Sequence, residues 1–122
     1  MTINIDVAEG TSRRDLLRTI TVGIDEIHAR LDTAHRPAIR GALLDQLAQL
    51  TDQQAGLYNA TGRAYLAIRA RQRARWLATW AECEHARALD PSLPDPQSLL
   101  AAAGEDAPPD ARDALRALYR RT

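Results

Sequence analysis

The sequence contains no lysine and no phenylalanine, and it has a single cysteine among its 122 residues. All 16 positively charged side chains are therefore arginines, and each can make planar, forked contacts with carboxylates or phosphates. One cysteine, Cys83, excludes an intrachain disulfide, as expected for a protein of a reducing, cytoplasmic compartment. Because 16 acidic residues balance the arginines, the total charge gives no reason to expect nucleic acid or a membrane surface as partner.

Long apolar runs are also missing, since no window approaches the ~18 apolar residues that a membrane span needs. The first seven residues have neither the positive segment nor the apolar run of a secretory signal. We therefore expect a cytoplasmic protein with no membrane partner. The bias toward arginine and alanine is typical of GC-rich bacterial or phage genomes, which is an association and not a physical argument.

The sequence does contain a helical apolar period near its start. Ser12 is typical of an N-cap, and Asp15 follows three residues later as a variant of the capping box. The next apolar residues are spaced 3, 4, 3 and 4 apart, which places them on one stripe of a helix over about 13–34. This apolar seam consists of Leu17, Ile20, Ile24, Ile27 and Leu31. For residues 1–11 we expect a flexible N-terminal arm.

A second and a third helix are predicted from a break in a long helical stretch. Pro37 suits the first turn of a helix, and no proline follows until Pro91. One helix over this whole stretch would be about 80 Å long at ~1.5 Å per residue, far longer than the first helix. Asn59 and Gly62 tolerate the left-handed conformation that ends a helix, so a break over 59–62 gives helices 37–58 and 63–89.

Three helices of similar length can close one core, and the sequence therefore predicts an all-α, antiparallel three-helix bundle. The alternative is an unbroken long helix whose apolar surface would require a partner chain. After residue 90, Pro91, Pro94 and Pro96 predict a stiff linker, followed by short helices over 97–103 and 110–121. We divide the chain into a bundle domain with its arm, 1–90, and a helical tail, 91–122, that packs on the bundle or extends from it.

The third helix is basic in an otherwise acidic molecule. Residues 63–87 hold 6 arginines and 2 acidic residues, a net charge of +4, whereas the segments before and after each carry −2. At about 100° per residue, one face collects arginines and aromatic residues and suits a protein partner. That face holds Tyr65, Arg69, Arg73, Trp76, Trp80 and Arg87. A structural alternative buries the tryptophan rings and lays the arginine stems over them.

Two further interpretations of this region remain open. An accessory nucleic-acid-binding subunit would contact phosphates through Arg63, Arg69, Arg71, Arg73 and Arg75. A packing interpretation concerns the opposite, alanine-rich face, where small side chains let another helix approach closely and leave little hydrophobic gain per residue. That face holds Leu66, Ala67, Ala70, Ala74, Leu77, Ala78, Ala81 and Ala88. Such a bundle is a candidate for stabilisation by oligomerisation.

A carboxylate–histidine metal site is the third functional hypothesis. Glu82 and His85 have the Glu-x-x-His spacing of ferritin-like di-iron bundles. His28 lies at a comparable level of the first helix if the first and third helices run parallel. The competing interpretation treats these residues as solvated, because so short a motif recurs by chance.

No nucleophile–base pair, glycine-rich phosphate loop or HExxH motif is present in the sequence, so we predict neither an enzyme nor a cofactor. The favoured prediction is a non-enzymatic assembly or adaptor protein. It would form a homo-oligomer or act as a small subunit of a larger bacterial or phage complex. The apolar seam of the first helix and the tryptophan–arginine face of the third would be its contact surfaces.

Overall fold

The computed structural model describes residues 12–104 and 109–120, and this part of the chain contains five helices and no strand. The helices are α1 (Arg13–Thr33), α2 (Pro37–Ala60), α3 (Ala64–Leu89), α4 (Pro96–Ala103) and α5 (Pro109–Tyr119). The three long ones pack as an all-α three-helix bundle, which confirms the predicted fold class. The arm predicted for residues 1–11 lies outside the described residues, as does the end of the last predicted helix. None of the described helices is long and apolar enough to cross a membrane.

Helix α1 begins at the predicted cap. The Ser12 hydroxyl accepts a hydrogen bond from the backbone N–H of Asp15 at 3.1 Å, which satisfies one of the free donors of the first turn. The apolar seam faces α2: Ile20, Ile27 and Leu31 are buried, and Leu17 and Ile24 are partly buried. The seam is therefore the inner face of the bundle, and the expectation that it contacts another chain is wrong for its buried members.

The predicted break between the second and third helices is confirmed, and its geometry explains its position. Gly62 has a φ of +77°, a left-handed conformation that costs glycine little because it has no Cβ. The N–H of Arg63 then reaches the carbonyl of Tyr58 at 2.8 Å, and the N–H of Gly62 reaches that of Asn59 at 3.2 Å. These two bonds form a Schellman motif, which ends α2 and reverses the chain.

Helices α2 and α3 pack along small residues, as the alanine-rich face predicts. Five α3 residues of that face are buried: Ala67, Ala70, Ala74, Leu77 and Ala81. On α2 the close approach is sharpest at Gly41, where an added Cβ would lie 2.8 Å from the His85 ring. Arg40 near the start of α2 also meets Glu84 near the end of α3, so the two helices run antiparallel.

The buried side chains of the three long helices form one core, as predicted, and within the described residues a groove remains beside it between α1 and α3. Helices α1 and α3 both pack on α2, and Ile27 of α1 and Leu77 of α3 belong to the same core cluster. Helix α2 contributes Leu43, Leu44, Leu47 and Leu50 to this core. A helix packed on two sides is apolar over half of its circumference, which is why α2 carries a broader apolar surface than a single stripe.

The C-terminal tail packs on α3 rather than extending from it. Leu100 of α4 and Tyr119 of α5 are buried, and the Tyr119 hydroxyl donates to the carbonyl of Pro94 at 2.6 Å. An ion pair between Arg116 and Glu82, at 2.9 Å, joins α5 to the surface of α3. The tail thus packs on the second half of α3, and Gln97 of α4 lies beside Trp80 in the lining of a cavity on that side.

Candidate functional site

The gap between α1 and α3 forms a groove along the bundle, which we call the α1/α3 groove. In its central part the walls are α1 and α3 and the floor is the middle face of α2, whereas one end is lined by α1, the end of α2 and the turn before α3. Three linked cavities of about 610, 360 and 280 Å³ follow one another along it. Thr21 borders both the first and the second cavity, and Trp80 borders both the second and the third. The three cavities therefore lie in a row, and each shares a lining residue with the next.

The central cavity is where aromatic and polar side chains meet. Ile24, Asp25 and His28 line it from α1, and Arg73, Trp76 and Trp80 line it from α3. The floor is polar, because Thr51 and Gln54 of α2 lie there and are both buried. The Thr51 hydroxyl is satisfied by the carbonyl of Leu47 at 2.7 Å within its own helix. A hydroxyl satisfied in this way adds no unpaired polar group to the groove.

One end of the groove is rich in arginine and is called the arginine end. Arg13, Arg14, Arg18 and Arg63 surround an apolar floor that includes Leu17, Val22 and Tyr58. Arg13 donates to the Ala60 carbonyl at 3.0 Å, which holds the end of α2 against the start of α1. Arg14, Arg18 and Arg63 form no ion pair with another described residue. Among the described residues, this end therefore has positive charge without an acidic partner beside apolar surface.

The opposite end of the groove is closed by a buried ion pair. The Glu84 carboxylate is fully buried and accepts from Arg40 Nε at 2.9 Å, and Arg87 Nη1 lies 3.5 Å from its other oxygen. Arg40 Nη1 also donates to the carbonyls of Leu31 and Ala34, so the guanidinium caps the end of α1. The charge of Arg40 sits 5.7 Å from the centre of the Trp80 ring.

This ion pair was not predicted from the sequence, although one signal of it exists. Glu84 follows Leu77 by seven residues and Ala81 by three, so it falls on the buried alanine-rich face of α3. A carboxylate on such a face needs a buried cation, and arginine is the only cation that this chain uses. The sequence does not indicate which of 16 arginines it is.

The six residues of the predicted tryptophan–arginine face differ in burial and in the groups they contact. Trp76 is only 5% exposed, Trp80 is partly buried, and Arg73 is exposed beside them in the groove. Arg69 is partly buried one turn away, and Tyr65 is 71% exposed near the start of α3. Arg87 lies against Glu84 instead. The tryptophan rings are thus packed as in the structural alternative, but Trp76 and Trp80 also line the groove wall.

The five arginines of the predicted basic helix do not share one face of α3. Arg69 and Arg73 are four residues apart, as are Arg71 and Arg75, but the two pairs are out of phase by about 200°. Arg63 precedes the helix and lines the arginine end of the groove. A phosphate backbone that follows one side of α3 would therefore meet two of these arginines and miss the others.

The three candidate metal ligands are not brought together. Glu82 is bound by Arg116, His85 Nε2 lies 2.6 Å from Asp45 Oδ2, and His28 lines the groove. Over residues 12–104 and 109–120, no group of three histidine, cysteine, aspartate or glutamate side chains could hold a metal ion. The Glu-x-x-His spacing is instead used in two separate contacts, one to α5 and one to α2.

A smaller cavity of about 290 Å³ lies between α3 and α5 beside Cys83 and Tyr119. Burial, with the carboxylates of Glu82 and Glu84 nearby, raises the pKa of the Cys83 thiol to about 11. Burial likewise raises the pKa of Tyr119 to about 12. A thiol with this pKa is protonated and weakly nucleophilic near neutral pH.

No protein-family model, no curated protein and no solved structure matches this chain.

Proposed function

We propose that this chain is a non-enzymatic assembly protein that binds a helix of another protein chain in the α1/α3 groove. The groove carries the proposal, because in residues 12–104 and 109–120 two helices pack on a central one and leave an open side where a fourth helix would complete the bundle. The exposed apolar side chain of Val22 and the partly buried Leu17, Ile24 and Trp80 supply the apolar contacts such a helix needs.

The composition of the groove matches that of protein interfaces. Tryptophan, tyrosine and arginine are the residues enriched at the centres of such interfaces. Trp80, Tyr58, Arg14 and Arg18 all line the groove. The single cysteine and the arginine bias support a cytoplasmic, bacterial or phage setting for this assembly. The protein would act there as a homo-oligomer or as a small subunit of a larger complex.

Sedimentation of the full chain from about 1 µM to about 1 mM tests the proposal, since that range covers weak and moderate association. We expect a mass above that of the 13.5 kDa chain at the upper concentrations. Val22→Glu should lower that mass, because a carboxylate in the apolar floor of the groove would have to be desolvated on binding.

Ile39→Glu is the matched control. Ile39 is 48% exposed and Val22 is 51% exposed, and both are β-branched side chains of long helices. Ile39 lies outside the lining of the groove, so its substitution should leave the sedimentation profile unchanged. A single-chain mass at every concentration, or an equal loss of mass in both variants, would overturn the proposal.

A further inference from the structure

The groove side of α1 carries charges of opposite sign on its two halves. Arg14 and Arg18 lie on the first half, and Asp25 lies one heptad beyond Arg18 on the same stripe. Arg18 and Asp25 are both exposed, and neither forms an ion pair with another described residue. Thr21 and Val22 lie midway between them and are exposed as well. The centre of this stripe is therefore uncharged, with one unpaired charge about a helical turn to either side.

This arrangement is self-complementary. When two identical helices pair antiparallel about a two-fold axis, a residue before the axis lies opposite the residue equally far beyond it. With the axis between Thr21 and Val22, Arg18 of one copy lies opposite Asp25 of the other, and the symmetry forms this pair twice. Parallel pairing would instead place Arg18 against Arg18 and Asp25 against Asp25. The charges thus select one direction and one register.

Resting on the proposed function, we infer that the helix bound in the groove is α1 of a second copy of this chain. The two α1 helices pair antiparallel about an axis near Thr21 and Val22, and each enters the groove of the other copy. Such an interface is isologous, so it closes at two copies and leaves no free groove to extend a fibre. Each copy contributes a helix of 21 residues, about 32 Å long at ~1.5 Å per residue.

The mixed charge of the groove favours a second copy over a uniformly charged helix from another protein. An acidic helix would suit Arg14, Arg18 and Arg63 at the arginine end, but it would meet Asp25, which lies with Arg73 in the lining of the central cavity. A basic helix would suit Asp25 and meet the arginines. Helix α1 carries both signs in the order that the antiparallel register requires, so that its Arg18 meets Asp25 and its Asp25 meets Arg18.

Charge reversal tests this register directly. Arg18→Glu alone places a carboxylate opposite Asp25 twice per dimer, and Asp25→Arg alone places two guanidinium groups opposite each other twice. Each variant by itself should raise the dissociation constant of the dimer at least about tenfold. An equimolar mixture of the two variants should dimerise as the native chain does, because both inter-copy pairs then again have opposite charges.

Arg30→Glu is the matched control for these variants. Like Arg18→Glu, it replaces an exposed arginine of α1 by glutamate. Arg30 lies nine residues from Thr21 and therefore on the opposite side of α1, so the substitution should leave the dissociation constant of the dimer unchanged. The helical circular dichroism of every variant shows that it is folded. Sedimentation of the single variants and of their mixture then gives the three dissociation constants.

The outcomes separate this inference from the proposed function. If the native chain dimerises and Val22→Glu disrupts the dimer, but the mixture is no tighter than the single variants, the register is wrong and the groove stands as the assembly site. If the single variants dimerise as tightly as the native chain, the α1 pairing is overturned. If the native chain is a single copy throughout, the proposed function is overturned and this inference with it.

Discussion

Loss of the Glu84 carboxylate should destabilise the bundle more than loss of any exposed acidic side chain. Glu84 is fully buried and joins α3 to Arg40 of α2 at 2.9 Å, and Arg40 in turn holds the last carbonyls of α1. Glu84→Ala would leave a guanidinium that is only 14% exposed without its counter-charge. Breaking a buried pair by removing one partner costs about 3–5 kcal/mol.

The lower end of that range applies here. Arg40 keeps its hydrogen bonds to the carbonyls of Leu31 and Ala34 and its position over the Trp80 ring, which together satisfy part of its charge. We therefore expect Glu84→Ala to lower the free energy of unfolding by about 3 kcal/mol. A domain of this size has a total stability of roughly 5–15 kcal/mol, so the change is large but leaves the chain folded.

Urea unfolding followed by circular dichroism measures this effect as a fall in the transition midpoint with little change in slope. Glu82→Ala is the matched control on the same helix, because Glu82 is 47% exposed and its ion pair with Arg116 lies at the surface. That control should cost no more than about 1 kcal/mol. Removal of Arg40 and Glu84 together should cost less than the two single changes added, since neither charge is then left alone. Equal losses for Glu84→Ala and Glu82→Ala would refute the reasoning.

Three further predictions concern a turn and a thiol. Gly62→Ala should lower the free energy of unfolding by about 1 kcal/mol or more, because Gly62 has a φ of +77°. Gly56→Ala lies in an exposed helical part of α2 with open space around an added Cβ, so it should raise the free energy of unfolding by about 0.5–1 kcal/mol. Thermal unfolding of both variants measures these effects, and a stabilised Gly62→Ala would contradict the prediction. Cys83 should react with a thiol reagent at pH 8 far more slowly in the folded chain than in urea, because it is buried and its pKa is raised to about 11. Because the raised pKa of Cys83 favours the protonated thiol in the folded chain, the contribution of this thiol to the free energy of unfolding is complete below pH 9.0 and is lost as the pH rises toward about 11. A stability that increases between pH 9.0 and about 11 would contradict the raised pKa of Cys83.

Local sequence patterns predict most of the helices of the bundle. The seam of α1, the cap at Ser12 and the glycine at position 62 each act over a few residues, and each has the structure that its pattern predicts. The predicted bounds of the three long helices agree with the observed ones to within two residues. This agreement follows because capping, helical period and left-handed backbone are properties of neighbouring residues.

The candidate site is predicted less well from the sequence than the helices are, because it depends on residues that are far apart in the chain. The helical period predicts that Trp76 and Trp80 share one face of α3, and both line the central cavity. The period carries no information on how deeply each ring is packed or on the gap between α3 and α1. Glu82 and His85 have the spacing of a metal motif, yet partners 34 and 40 residues away engage them separately. Spacing within one helix cannot reveal which side chains of other helices arrive to compete for the same groups.

The amino-acid sequence by itself determined that this protein is helical, where its long helices begin and end, and which faces of α1 and α3 turn inward. These properties follow from local capping and from the period of apolar side chains. Only the tertiary structure decided that α1 and α3 both pack on α2, that Arg40 is the cation beside Glu84, and that a groove lies between the two outer helices in the described part of the chain. The physical reason is that small residues draw α3 tightly against α2, while the bulkier seam places α1 on its other flank. The angle between these two contacts is a property of the packed helices together and of none of them alone.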